Sequence, residues 1–194
     1  MSFCFFIMTH QRSRLHLTAI AIHRDSAYSS AMITALDAAR YFLSKQDTDE
    51  PDISNMKLLK LLYYAQGTCL AILDRPLFDE AIEAWRHGPV VASIYQTFKN
   101  YQANPIPATS APAIPDEERH ILDLTFAKWG EFSASALRNR THREPPWQDA
   151  YHGRGEGSEI DLNEIYQAFL SELSVPAMGN EEFDRRFAAG VAVA

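Results

Sequence analysis

The stretch SNMKLLKLLYYAQGTCLAILD, residues 54–74, constrains this chain more than any other. Its apolar residues run almost all the way round a helix, interrupted by Lys57, Lys60 and Gln66. A helix that is apolar on every side has no face to give to water, so it belongs in the centre of a bundle. Ser54 supplies an N-cap oxygen for the first unpaired backbone N–H groups. The three polar side chains are expected to mark a narrow exposed edge. Gly67 costs ~1 kcal/mol relative to Ala inside a helix. Either another backbone or a bulky ring packs there, or the helix kinks mildly.

The flanking sequence divides into elements that can surround such a helix. MITALDAARYFLSKQ reads as a helix capped by Thr34, with Ile33, Leu36, Ala39, Phe42 and Leu43 at helical spacing. RPLFDEAIEAW reads as an extended segment with room for a small hairpin. Gly88 then permits a tight turn, and Pro89 is expected as the first residue of the helix VVASIYQTFKN, since its missing N–H is unpaired there anyway. YQANPIPATSAPAIP is a proline-rich surface loop. Further helices are expected over DEERHILDLTFAKW, stopped by Gly130, from Ser133 or Ser135, at Pro146–Trp147, and over DLNEIYQAFLSELS. GRGEGSE reads as loop. The expected fold is mainly α: a compact helical domain around a central hydrophobic helix.

At 194 residues the chain suits one domain. Residues 32–175 are expected to form it, with 1–31 an extension outside the core fold, Met32 a natural beginning, and 176–194 a tail. MSFCFFIM is apolar but short, and Arg12 and Arg14 follow it, the reverse of a signal peptide; a membrane-spanning helix needs ~20 apolar residues. The formal charge of −7 disfavours a protein that coats nucleic acid. Two cysteines, Cys4 and Cys69, without a CxxC argue against a disulfide scaffold and suit a reducing cytoplasm.

Little catalytic equipment is visible. Cys69 sits in the apolar helix and reads as a buried, inert thiol. His87, His142 and His152 stand singly, without the pairing a metal site needs. The glycines of GRGEG lack the Lys and Ser/Thr of a phosphate loop. No cofactor is expected. Two constellations remain. In Trp85-Arg86-His87-Gly88-Pro89, Trp85 reads as mostly core and Arg86 and His87 as outward-facing. In RNRTHREPPW, Arg138, Arg140, His142 and Arg143 gather positive charge in an acidic chain, while Thr141 can cap and Trp147 can bury. Arg and Trp are enriched among the residues that dominate protein interfaces.

These motifs, MKLLKLLYYAQG, PLFDEAIEAWRHGPVV with IYQTFK, and THREPPW, resemble the Panacea-domain family of SocA-like antitoxins, also known from phage-associated GepA-like proteins. The resemblance spans roughly residues 33–173. Its pattern falls on Lys57, Leu58, Leu61, Tyr63, Tyr64 and Gly67; on Trp85, Gly88, Pro89 and Val90; and on Thr141, His142, Pro146 and Trp147. The chain departs from it at Thr68-Cys69, where members often carry a larger aromatic or His. The resemblance implies a helical, non-enzymatic, cytoplasmic protein that neutralises a cognate protein toxin by direct contact, and for some members a handover of the toxin to a Clp-type ATP-dependent protease. Two readings compete with it: a nucleic-acid-binding regulator using Arg138, Arg140 and Arg143 on phosphates, and an enzyme using His87 or His142 as acid-base residue.

Overall fold

A computed structural model describes residues 32–174; the extension expected over 1–31 and the tail expected over 176–194 lie outside the described residues. The described part contains seven α-helices and an antiparallel sheet of three strands, β1 (Ile82–Trp85), β2 (Gly88–Val91) and β3 (Ser158–Glu159), in the order β2-β1-β3. Helix α1 (Ala35–Lys45) starts at Thr34, whose hydroxyl accepts from Asp37 N at 3.1 Å. Helix α2 (Asn55–Leu73) starts at Ser54, whose hydroxyl accepts from Lys57 N at 3.4 Å. Both caps satisfy a donor that the first helical turn leaves open.

Helix α2 packs against α1, against α4 (Asp116–Trp129), α5 (Ala134–Thr141) and α7 (Leu162–Ser174), and against the β2 strand (Gly88–Val91). Contact on so many sides is what its all-round apolar surface requires. Its polar residues, however, do not form an exposed edge. Lys57 and Lys60 are each 1% exposed and Gln66 is fully buried. Each is buried because a neighbouring segment satisfies it. The Lys57 ammonium pairs with the Asp52 carboxylate. Lys60 Nζ donates to Pro89 O at 2.8 Å. Gln66 donates to Phe78 O at 3.0 Å and accepts from Leu77 N at 2.9 Å, pinning the loop after α2. Three isolated polar side chains on an apolar helix look the same in sequence whether water or a loop covers them.

Gly67 is explained by a ring. A Cβ there would lie 2.4 Å from the Phe169 ring of α7. That ring meets Tyr63 edge-on at 5.7 Å and lies 6.1 Å from Tyr64, so it has little freedom to withdraw.

The extended segment is a hairpin: β1 (Ile82–Trp85) pairs with β2, Ile82 opposite Val91 and Trp85 opposite Gly88. Pro89 is therefore a strand residue opposite Ala84, and not the first residue of a helix. β2 is an edge strand, where a residue without an N–H is tolerated. Helix α3 (Ala92–Phe98) begins three residues later than Pro89, without a side-chain cap. The GRGEGSE segment is not wholly loop either. Its Ser158–Glu159 forms β3 against Glu83 and Ala84, held by Gly157 N to Ala84 O and Ile160 N to Ile82 O, both 2.8 Å. Two residues are too few to show an alternating pattern.

The proline-rich loop does structural work as well. Ile106 is buried, its N–H donates to Ile53 O at 2.9 Å, and its carbonyl accepts from Gln46 Nε2 at 2.7 Å. It thereby straps the α1–α2 junction.

Replacing glycine by alanine inside a helix ordinarily stabilises by ~1 kcal/mol. Here Gly67→Ala should lower the melting temperature, since overpacking costs ~1–3 kcal/mol. Combining it with Phe169→Leu should recover part of that loss, and a double-mutant cycle by thermal melts measures the coupling. Additive effects would contradict this packing.

Candidate partner-binding face

The two constellations singled out in the sequence meet over one buried amine. Between Trp85 and Gly88 the chain reverses through Arg86 and His87, and the positive φ of the reversal falls on Gly88, at 99°. Glycine adopts that conformation without strain. Gly88 is also jammed inward: a Cβ would lie 2.7 Å from Thr141 Oγ1 and 2.8 Å from Lys60 Cε. The hairpin end thus rests directly on α2 and on the last turn of α5. Thr141 does not cap a helix; it is the buried last residue of α5, and its hydroxyl donates to Arg138 O at 2.9 Å.

THREPPW continues this contact. Helix α6 (Pro145–Gln148) opens with two prolines, whose absent N–H groups are unpaired at a helix start in any case. It places Trp147, 4% exposed, under the hairpin, where the indole N–H donates to Trp85 O at 3.0 Å. His142 stacks flat on Trp147 at 4.1 Å, and Tyr151 also stacks on the indole, at 4.8 Å. Trp85 itself is partly buried and packs against the core. It leans edge-on against Tyr95 at 4.9 Å and donates to Glu83 Oε2 at 2.7 Å. As the last residue of β1 its side chain lies with Glu83 on the strand face opposite the buried Ile82 and Ala84. Arg86 and His87 are exposed, as expected; the Arg86 backbone N–H donates to Glu156 Oε1 at 3.1 Å.

Burial, and secondarily the charge of Arg138, pushes the Lys60 ammonium down to about 7. Burial and the nearby Arg138, Lys60, His87 and His152 likewise hold His142 below the usual histidine range. His87, in the hairpin turn, and Arg138, on α5, therefore share one electrostatic neighbourhood.

The basic residues of RNRTHREPPW do not act as one exposed edge. Arg138 is half-buried, with its Nε enclosed, and His142 is held in its stack. Arg140 lies over the Trp129 ring at 4.7 Å and pairs with Glu144 at 3.4 Å. Arg143 is exposed. Arg140 and Arg143 border a cleft of about 480 Å³ whose lining includes Trp129, Phe132, Leu137 and Glu144. Glu144 Oε1 accepts from Tyr64 OH at 3.0 Å, and Tyr64 stacks on Trp129 at 4.4 Å, so the cleft floor continues into α2. Sequence reading missed Lys60, Trp129, Phe132 and Glu144. The available signals were a second lysine inside an apolar helix and a Trp one residue before a helix-stopping glycine.

The remaining family-pattern residues lie inside. Leu58, Leu61, Tyr63 and Tyr64 are fully buried, Val90 is 4% exposed, and Pro146 is buried. Among the described residues, no group of three or more His, Cys, Asp or Glu is placed to hold a metal ion. Cys69 is buried, and burial pushes its thiol up to about 12, far from a reactive thiolate.

The lowered Lys60 makes stability depend on pH with a definite sign. Between about 7 and its ordinary 10.5, the unfolded chain holds a proton there that the folded chain has released. The burial penalty is present in full below pH 7 and is relieved as pH rises through that window. Stability relative to Lys60→Met should therefore rise with pH from 7 to 10 in denaturant titrations, by on the order of a few kcal/mol. A difference that stays constant over that range would contradict the buried amine.

Comparison with known proteins supplies the context for this face. The family "Antitoxin SocA-like, Panacea domain" matches residues 58–148, which run from α2 through α6. Antitoxin SocA of Caulobacter vibrioides is 39% identical over 144 residues, covering 67% of this chain and 77% of that protein. No solved structure matches significantly. Among the described residues no helix is long and apolar enough to cross a membrane. The chain belongs to the SocA-like, Panacea-domain antitoxin family.

Proposed function

We propose that this protein is an antitoxin that neutralises a cognate protein toxin by direct contact and not by catalysis. The observation that carries the proposal is the 39% identity to Antitoxin SocA over 77% of that protein's length. The contact face is the outward side of the hairpin end and the α5–α6 corner, with the exposed Arg86, His87, Arg140 and Arg143 its polar members and the partly buried Arg138 and His142 supporting them from behind. The buried family-pattern residues, from Lys57 to Trp147, hold that face in shape. Delivery of the captured toxin to a Clp-type protease is the further step that fits such a binder, and a shortened toxin lifetime in cells would reveal it.

The arrangement weighs against the two competing readings. Of the three arginines offered as phosphate contacts, Arg138 is half-buried and Arg140 is engaged by Trp129 and Glu144. A phosphate-tracking surface needs several such side chains free in water. His142 is clamped against Trp147 with its Nε2 buried, a poor position for proton exchange with a substrate.

Co-expression with each neighbouring reading frame that is toxic when expressed alone tests the proposal, and the absence of any toxic neighbour would count against it. The parent should restore growth and co-purify with the toxin. Arg86→Glu combined with His87→Ala should lose at least tenfold in toxin affinity, while stability stays within ~0.5 kcal/mol, as for exposed positions. Restored growth without any complex, or unchanged affinity in the double variant, would count against direct contact through this turn.

A further inference from the structure

Given direct contact through this corner, as proposed above, we propose that the partner surface is acidic. One of its carboxylates seats where the hairpin turn meets the last turn of α5, opposite His87 and Arg138. The backbone brings these groups together. Gly88 is pressed against Thr141 Oγ1, so His87 before the one and His142 after the other reach the same place. Arg138 stands one turn back on α5, its carbonyl accepting from His142 N at 3.1 Å. His152 meets the indole on which His142 stacks, edge-on at 5.5 Å.

Charge sets this junction apart. Among the described residues Arg75, Arg119, Arg140 and Arg154 each pair with a carboxylate, whereas the side chains of Arg86, His87 and Arg138 meet none. Arg138 Nη1 donates to the neutral Asn139 Oδ1 at 3.3 Å, and its Nε is enclosed without a partner. The carboxylates of the surrounding segments are engaged elsewhere. Glu144 serves Tyr64 and Arg140, Glu156 accepts from the Arg86 backbone N–H, and Glu83 takes the Trp85 indole N–H. Burial first, then Arg138 on α5, Lys60 on α2, His87 in the turn and His152 after α6, hold His142 below the usual histidine range, and no carboxylate acts on it in the opposite sense. Basic groups from four segments thus converge in a chain of net charge −7. Like charges held together by a fold repel until an opposite charge joins them. A seated carboxylate is attracted by Arg138 and His87 and favours the charged form of His142, so binding takes up a proton. So compact a spot suits one carboxylate of a protein surface, whereas a nucleic-acid strand needs a row of exposed cations along its phosphates.

The test follows the His87, His142 and His152 rings by NMR in the full-length chain at low salt. N-acetyl-Gly-Glu-Glu-Gly-amide or its Gln-Gln counterpart is added. The Glu peptide should move the His87 and His142 signals and raise the His142 midpoint by about half a pH unit, and the Gln peptide should do neither. Arg138→Gln should weaken that response about fivefold by removing the nearest fixed charge. His87→Glu, at an exposed position, should raise the His142 midpoint without peptide and abolish the response to it. Equal responses to the two peptides, a response confined to other residues, or one unchanged by His87→Glu would overturn the proposal. A stronger response to a short oligothymidylate would assign the junction to nucleic acid and overturn it equally. If these fail while the toxin still co-purifies in the growth assay, the acidic chemistry falls and direct contact stands. If no complex forms there, direct contact falls and takes this inference with it.

Discussion

A lysine amine held under a proline carbonyl ties this fold together. Lys60 Nζ donates to Pro89 O at 2.8 Å from a side chain that is 1% exposed. Burying an ammonium without a carboxylate partner is costly, and the group responds by giving up its charge near neutral pH. What that cost sustains is a junction of three elements. The amine sits on α2, its acceptor on β2, and Thr141 of α5 closes over Gly88, the residue before that acceptor. Separating the amine from its acceptor would leave a buried donor unmet, the expensive outcome for a polar group in a core.

The junction explains why the family pattern is spread over three sequence stretches. Trp85, Gly88 and Pro89 shape the hairpin end. Lys60 lies directly below it, while Tyr63 and Tyr64 further along α2 pack on Phe169 and Trp129. Thr141 and Trp147 wall it in, the latter through a hydrogen bond to Trp85 O. Few of these residues reach solvent. They hold a short turn, Arg86-His87, at a fixed height above the helices, and a rigid presentation of a few polar groups lowers the cost of ordering them on binding.

Much of this was legible in the sequence where local chemistry decides the outcome. Thr34, Ser54 and Ser133 each cap the helix expected of them, because a hydroxyl before an apolar periodic run has one good use. Gly130 ends α4, and the Gly67 gap is filled by a ring. Legibility failed where the deciding partner lay far along the chain. Whether Lys60 or Gln66 faces water depends on the loops at 77–78 and 89, and nothing near α2 encodes that. Pro89 suits a helix start and an edge strand equally well, and the pairing of Ala84 with it settled the matter. The basic run Arg138–Arg143 looked like one patch in a row of letters. Helix α5, with 3.6 residues per turn, sends Arg138 and Arg140 to different sides, one partly inward and one onto Trp129, while Arg143 lies past the helix end and is exposed.

The most direct test of the account is the titration of the Lys60 side chain itself, followed by nitrogen-detected NMR on the folded protein. The amine buried beneath Pro89 O should show a midpoint near pH 7, where it loses its charge without unfolding. A midpoint near the ordinary lysine value of 10.5 would place the amine in water, and the junction of α2, β2 and α5 would need another explanation.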